Sequence, residues 1–150
     1  MSKVRSNVQT KQTITKKMDV PAGRAWAAIG EFGHLDVWFP SMVECRIEGE
    51  GVGAIRYLTL DGGLGSITDH LVALSEDGRH LTYERTESPF PVTSYTGHVE
   101  VFESFDGWAV VVWTIDFESE PEMSEPVAAL LKDAISAGLD GMETHLRLAR

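Results

Sequence analysis

SEPVAALLKDAISAGLDGMETHLRLAR, residues 124–150, is the one stretch of this chain whose apolar residues keep helical spacing over many turns. Val127, Leu130, Leu131, Ala134, Ile135, Gly138, Leu139, Met142 and Leu146 fall on a single stripe. Ser124 or Glu125 can cap the segment, and Pro126 stands at its start, where a missing N–H is harmless. The pattern predicts a long amphipathic helix running almost to Arg150. Such a helix draws most of its stability from packing its apolar face, so the rest of the chain must supply a matching surface.

That surface is readable upstream. Alternation of apolar and polar residues predicts strands over 93–104 and 108–118, split by Phe105-Asp106-Gly107. Before them, strands over 43–48, 54–60, 65–74 and 79–87 are separated by Gly49-Glu50-Gly51-Val52-Gly53, Asp61-Gly62-Gly63 and Ser75-Glu76-Asp77-Gly78. Ser88-Pro89-Phe90-Pro91 is too rich in proline to pair and reads as a loop. Residues 8–18 read as a first strand. Asp19-Val20-Pro21 then starts a short helix carrying Ala22, Ala25, Trp26 and Ile29, stopped by Gly30, and residues 32–40 suit a second brief helix. Short connections imply antiparallel neighbours. The expected architecture is α+β: about seven antiparallel strands, two short helices after strand 1, and one long helix covering the sheet. Residues 1–150 form one domain in this reading, with residues 1–7 flexible.

Composition narrows the function classes. The chain is 43% hydrophobic and 24% charged, as globular proteins are, and no apolar run approaches the roughly 20 residues that span a bilayer. Five of the 13 basic side chains lie before residue 18, among no acids, leaving 8 against 23 acidic ones and a net of −15 beyond it. A body so acidic repels phosphate backbones and anionic lipid, so neither nucleic-acid binding nor membrane insertion is expected. Residues 1–17 hold no apolar signal core, and a cytoplasmic address is the expectation. Cys45 is the one cysteine, so no internal disulfide forms, and it reads as a small core residue. His34, His70, His80, His98 and His145 show no metal-ligand spacing, Gly49-x-Gly51-x-Gly53 lacks a following helix, and no G-x-S-x-G elbow is present. A site without metal or cofactor follows, and the sequence permits a homodimer.

Trp26 in the first helix, Leu35-Asp36-Val37-Trp38-Phe39-Pro40, Gly51-Val52-Gly53-Ala54-Ile55-Arg56-Tyr57-Leu58, Leu81-Thr82-Tyr83-Glu84-Arg85 and Ser88-Pro89-Phe90-Pro91 stand in the order and context that resemble the START-like (SRPBCC), polyketide cyclase/dehydrase superfamily. The resemblance covers nearly the whole chain. It implies a helix-grip fold, in which a curved antiparallel sheet wraps the C-terminal helix and leaves an internal cavity for an apolar small molecule. It also implies ligand-holding roles for an acidic residue at Asp69 and a polar or aromatic one at Tyr83. The superfamily spans cyclases, hormone receptors, lipid carriers, allergens and lyases, so the fold does not fix the function.

Which side chains face such a cavity follows from the period of two along a strand. Ala109, Val111, Trp113, Ile115 and Phe117 point inward, as do Tyr95, Gly97, Val99 and Val101, whereas His98 and His70 point out. Leu81, Tyr83 and Arg85 share a face, and Ile67 and Leu71 bracket Asp69. Two opposite charges, Asp69 and Arg85, thus meet inside, because an unpaired buried charge costs several kcal/mol. They either pin two strands or anchor a ligand. The expected wall comprises Trp38, Phe39, Leu58, Leu60, Ile67, Tyr83, Tyr95, Gly97, Val111 and Trp113, together with Leu130, Ala134 and Gly138 of the long helix. Phe90 and Val92 stand at the mouth, opposite Asp61-Gly62-Gly63-Leu64, in an arrangement resembling the gate and latch loops of the superfamily's hormone receptors but without their signatures. Gly138 marks either close packing against Trp113 or free volume.

Three functions fit this reading. The first is binding or carriage of an apolar, polyketide- or lipid-like molecule. The second is a cofactor-free cyclase, dehydratase or isomerase, with Asp69 as general base and Arg85 or Tyr83 stabilising an enolate. The third is a partner-binding module whose pocket is filled by its own side chains.

Overall fold

The computed structural model describes residues 6–149. Its elements follow in the order β1 (Val8–Pro21), α1 (Ala22–Gly30), α2 (Leu35–Trp38), β2 (Met42–Glu48), β3 (Ile55–Leu60), β4 (Ser66–Ser75), β5 (His80–Glu87), β6 (Ser94–Glu103), β7 (Trp108–Ser119) and α3 (Ser124–Leu148). The first five of the residues expected to be flexible lie outside the described residues. Asn7, the last of them, donates from Nδ2 to Thr93 Oγ1 and Glu118 Oε1, at 3.4 Å each.

The strands form one antiparallel sheet in the order β1-β7-β6-β5-β4-β3-β2. Antiparallel connections link β2, β3, β4, β5, β6 and β7 in succession, and β1 adds alongside β7 with Ile14 opposite Trp113. Register shifts interrupt the ladders between Met18 and Pro21, Met42 and Glu44, Thr68 and Asp69, and Leu71 and Ala73. Each extra residue bends its strand, and together they curl the sheet around α3. β1 runs past the expected end at residue 18 to Pro21, which serves as the N-cap of α1. An edge strand tolerates proline because the lost N–H breaks no ladder bond on its open side.

On β7 the predicted alternation holds in full: Ala109, Val111, Trp113, Ile115 and Phe117 are buried and their neighbours half-buried. The buried face of α3 carries Val127, Leu131, Ile135, Gly138, Leu139, Met142 and Leu146. Leu130 departs from the expected stripe and is 47% exposed. Adjacent helical residues are turned about 100° apart, so with Leu131 facing the sheet Leu130 sits at the rim.

Small residues let α2 approach α3. A Cβ on Gly138 would overlap the ring of Phe39, and one on Gly141 would overlap the backbone carbonyl of Trp38. The Gly138 groove is therefore filled by Phe39, which itself meets Trp113 edge-on at 5.8 Å between centroids. This corrects the expectation of free volume at Gly138: the ring of Phe39 takes that space.

Candidate functional site: a buried charge triad beside an apolar cavity

Asp69 of β4 lies directly between Arg56 of β3 and Arg85 of β5 in the strand register. Its carboxylate is completely buried and takes four hydrogen bonds. Oδ2 accepts from Arg56 Nη2 at 2.7 Å, Arg56 Nε at 3.1 Å and Arg85 Nη2 at 3.2 Å, and Oδ1 accepts from Arg85 Nε at 2.8 Å. Burial pushes the Asp69 carboxyl up, but the charges and hydrogen bonds of Arg85 and Arg56 outweigh it and hold the pKa below the ordinary carboxylate value. Burial also works against the Arg85 guanidinium, and the Asp69 charge overcomes it, so Arg85 stays protonated.

The expected pair is thus a triad. Arg56 shares its inward face with Leu58 and Leu60, and its remaining nitrogen, Nη1, donates to the carbonyl of Phe32 at 3.2 Å. Its guanidinium lies 4.0 Å from the Phe32 ring centroid and 4.9 Å from that of Tyr83. Phe32 adopts φ 65°, a left-handed conformation that costs a bulky residue energy, and the Arg56 contact helps hold it.

Next to the triad, between the sheet and the first half of α3, is a cavity of about 110 Å³. Phe39, Met42, Leu60, Ile67, Trp113, Leu131 and Ile135 form its apolar wall, and Tyr83, Arg85 and Tyr95 supply its polar end. Leu64 and Phe90 line it from the two loops, and Leu130 and Ala134 from α3. The loops meet: a Cβ on Gly65 would stand 3.1 Å from Pro89 Cβ. Trp113 Nε1 donates to the Tyr83 hydroxyl at 3.1 Å, and the Tyr83 and Tyr95 hydroxyls are 3.4 Å apart. Burial and the neighbouring Tyr83 push the Tyr95 phenol well above its ordinary value, so it remains a donor.

Several expected wall residues stand elsewhere. Leu58 and Val111 are fully covered core side chains outside the cavity wall. Trp38 does not reach this wall and lines a small crevice with Ile29, Arg56 and Leu81. Gly97 is covered by Tyr83, whose ring occupies the space a Cβ would take. Val92 packs on the core without reaching the wall. Asp69 lies behind Arg85 rather than in the wall, with both oxygens hydrogen-bonded to arginines.

A wider groove of about 580 Å³ opens on the outside, between the α1–α2 loop and the β2–β3 hairpin. Its titratable groups Glu31, His34, Asp36 and Glu50 are exposed, and Cys45, half-buried there, has a thiol that burial pushes up. The groove offers volume without a desolvated charge. The smaller cavity has both enclosure and convergent polar groups, the usual marks of a ligand site. Among the described residues no cluster of three or more His, Cys, Asp or Glu is placed to hold a metal, and no helix is long and apolar enough to cross a membrane.

Residues 9–147 match the model of a protein family described as polyketide cyclase / dehydrase and lipid transport. The chain belongs to this family. No curated protein matches the sequence. Solved structures do: an uncharacterized protein from Bacillus thuringiensis has a TM-score of 0.81 at 24% identity, over 91% of this chain and 98% of its own. Norcoclaurine synthase from Thalictrum flavum, in complex with dopamine and hydroxybenzaldehyde, has a TM-score of 0.79 at 18% identity, over 97% and 90%. Ginseng major latex-like protein 151 from Panax ginseng has 0.78 at 20%, over 92% and 97%. At these identities the likeness establishes the helix-grip fold and nothing finer.

Proposed function

We propose that the protein binds or carries an apolar small molecule in the cavity between the sheet and α3, with Arg85 as its polar anchor. The observation that carries this reading is an apolar, largely enclosed space whose polar end holds a buried charge and two phenols. Membership of a family that includes lipid transport supports it, and so does the size of the space. About 110 Å³ is close to an engineered 150 Å³ apolar cavity that takes benzene, and well below the 300 Å³ and more of drug-sized sites. A single-ring compound suits it better than a long lipid, which would have to displace Phe39, Leu64 or Phe90. The norcoclaurine synthase neighbour was solved with single-ring compounds bound.

The cyclase or isomerase reading needs a base within reach of the ligand. Asp69 is held below the ordinary carboxylate pKa by two arginines and stands outside the wall, and no carboxylate or histidine is among the residues forming the wall. This favours binding over proton abstraction. Ala134, half-buried in the α3 part of the wall, gives the test. Ala134→Leu puts three more carbons into the cavity and is expected to lower affinity for toluene at least ten-fold, read by NMR titration, with an unchanged or higher melting temperature. Unaltered toluene binding would refute the placement.

A further inference from the structure

We propose that the cavity selects an apolar molecule carrying a small oxyanion, a carboxylate in the first instance, and seats that oxygen on Arg85 Nη1 and a phenol hydroxyl of the Tyr83–Tyr95 pair. This rests on the reading that the cavity is the ligand site, and it names the chemical class of the occupant.

Three observations converge. The first is charge. Arg56, Arg85 and Asp69 together carry one positive charge more than negative, side-chain exposures are 3%, 6% and 0%, and no carboxylate lines the cavity. A desolvated excess charge raises the affinity for a counter-charge brought to it and disfavours a cation. The second is the guanidinium itself. All three nitrogens of Arg56 have acceptors, two nitrogens of Arg85 are taken by Asp69, and Arg85 Nη1 has no acceptor among the described residues. Arg85 is the member of the triad that lines the internal cavity.

The third observation is a count of donors. Trp113 Nε1 can only donate, so the Tyr83 oxygen accepts from it. The Tyr83–Tyr95 contact uses one of the two hydroxyl hydrogens, whichever way it points. One hydroxyl hydrogen is left over, and both rings line the cavity. The polar end therefore presents a charged N–H and a phenolic O–H, each lacking an acceptor among the described residues, and a carboxylate can accept both at once.

Benzoate and toluene serve as the probes, with NMR titration as readout. In the wild type, benzoate is expected to bind at least ten-fold more tightly than toluene. Arg85→Met leaves Asp69 paired with Arg56 and the triad neutral; it is expected to lose benzoate by more than thirty-fold and keep toluene. Replacing both phenols, Tyr83→Phe with Tyr95→Phe, removes only the two hydroxyls, and is expected to weaken benzoate about ten-fold with toluene within two-fold. Toluene binding without tighter benzoate binding overturns the proposal and leaves the cavity reading standing. Benzoate binding that Arg85→Met does not weaken likewise overturns it, since the anion then sits elsewhere. If neither probe binds the wild type, the cavity reading fails and takes this one with it.

Discussion

Asp69→Asn is expected to destabilise the fold by about 3–5 kcal/mol, the usual cost of removing one partner from a buried ion pair. The substitution is nearly isosteric, so the loss is electrostatic. Arg56 and Arg85, with side chains 3% and 6% exposed, would face each other across a neutral amide. Chemical denaturation at pH 7 measures it directly. A loss below about 1 kcal/mol would mean that water or another carboxylate reaches the guanidiniums.

The pH dependence of the same comparison has a definite sign. The folded pKa of Asp69 is depressed by its arginines, whereas in the unfolded chain it returns to about 3.9. Its contribution is therefore fully present above that value and lost as the pH falls through the folded pKa. Wild type and Asp69→Asn should differ by a constant amount above about pH 5 and approach each other in stability below about pH 4. A gap that widened on acidification would contradict the ionised triad.

The second large effect is expected at Gly141. On helix propensity alone Gly141→Ala should stabilise α3 by about 1 kcal/mol. The structure reverses that sign, because the added methyl would overlap the backbone carbonyl of Trp38, which cannot rotate away as a side chain can. We expect a net loss of about 2–3 kcal/mol, in the range of overpacked cores, read as a lowered melting temperature. Gly138→Ala meets the Phe39 ring instead, and Phe39 borders the cavity, so the ring can swing into it. There the expected result is a smaller stability loss with at least ten-fold weaker toluene binding. Stabilisation by Gly141→Ala would show that α2 does not press on α3.

The two substitutions bear on what the sequence could disclose. Periodicity identified α3, the sheet and the inward face of β7, because a period of 3.6 or 2 is a local property with many residues voting for it. The Asp69–Arg85 contact was legible for the same reason, as two charges on inward parities of neighbouring strands. Arg56 was missed although the signal existed: it shares parity with Leu58 and Leu60, and the β3–β4 hairpin register sets it opposite Asp69.

The extent of the cavity was not legible. Whether Gly138 leaves a groove open depends on where the Phe39 ring goes, and that is fixed by the path of the chain through residues 31–41, which no period encodes. Trp38 and Phe39 are neighbours in sequence, yet Phe39 lines the cavity and Trp38 a separate crevice. Gly97 belonged with the inward set, but its missing side chain makes room for Tyr83 rather than for a ligand. Leu130 was placed on the buried stripe by a pattern wide enough to include it, and the actual face passes through Leu131.

A crystal structure of the protein soaked with toluene tests the central claim most directly. The account predicts ring density in the internal cavity, among Phe39, Ile67, Trp113 and Leu131, with Arg85 still on Asp69. Density confined to the outer groove beside Cys45 and Ile47, or none in a saturated crystal, would contradict it.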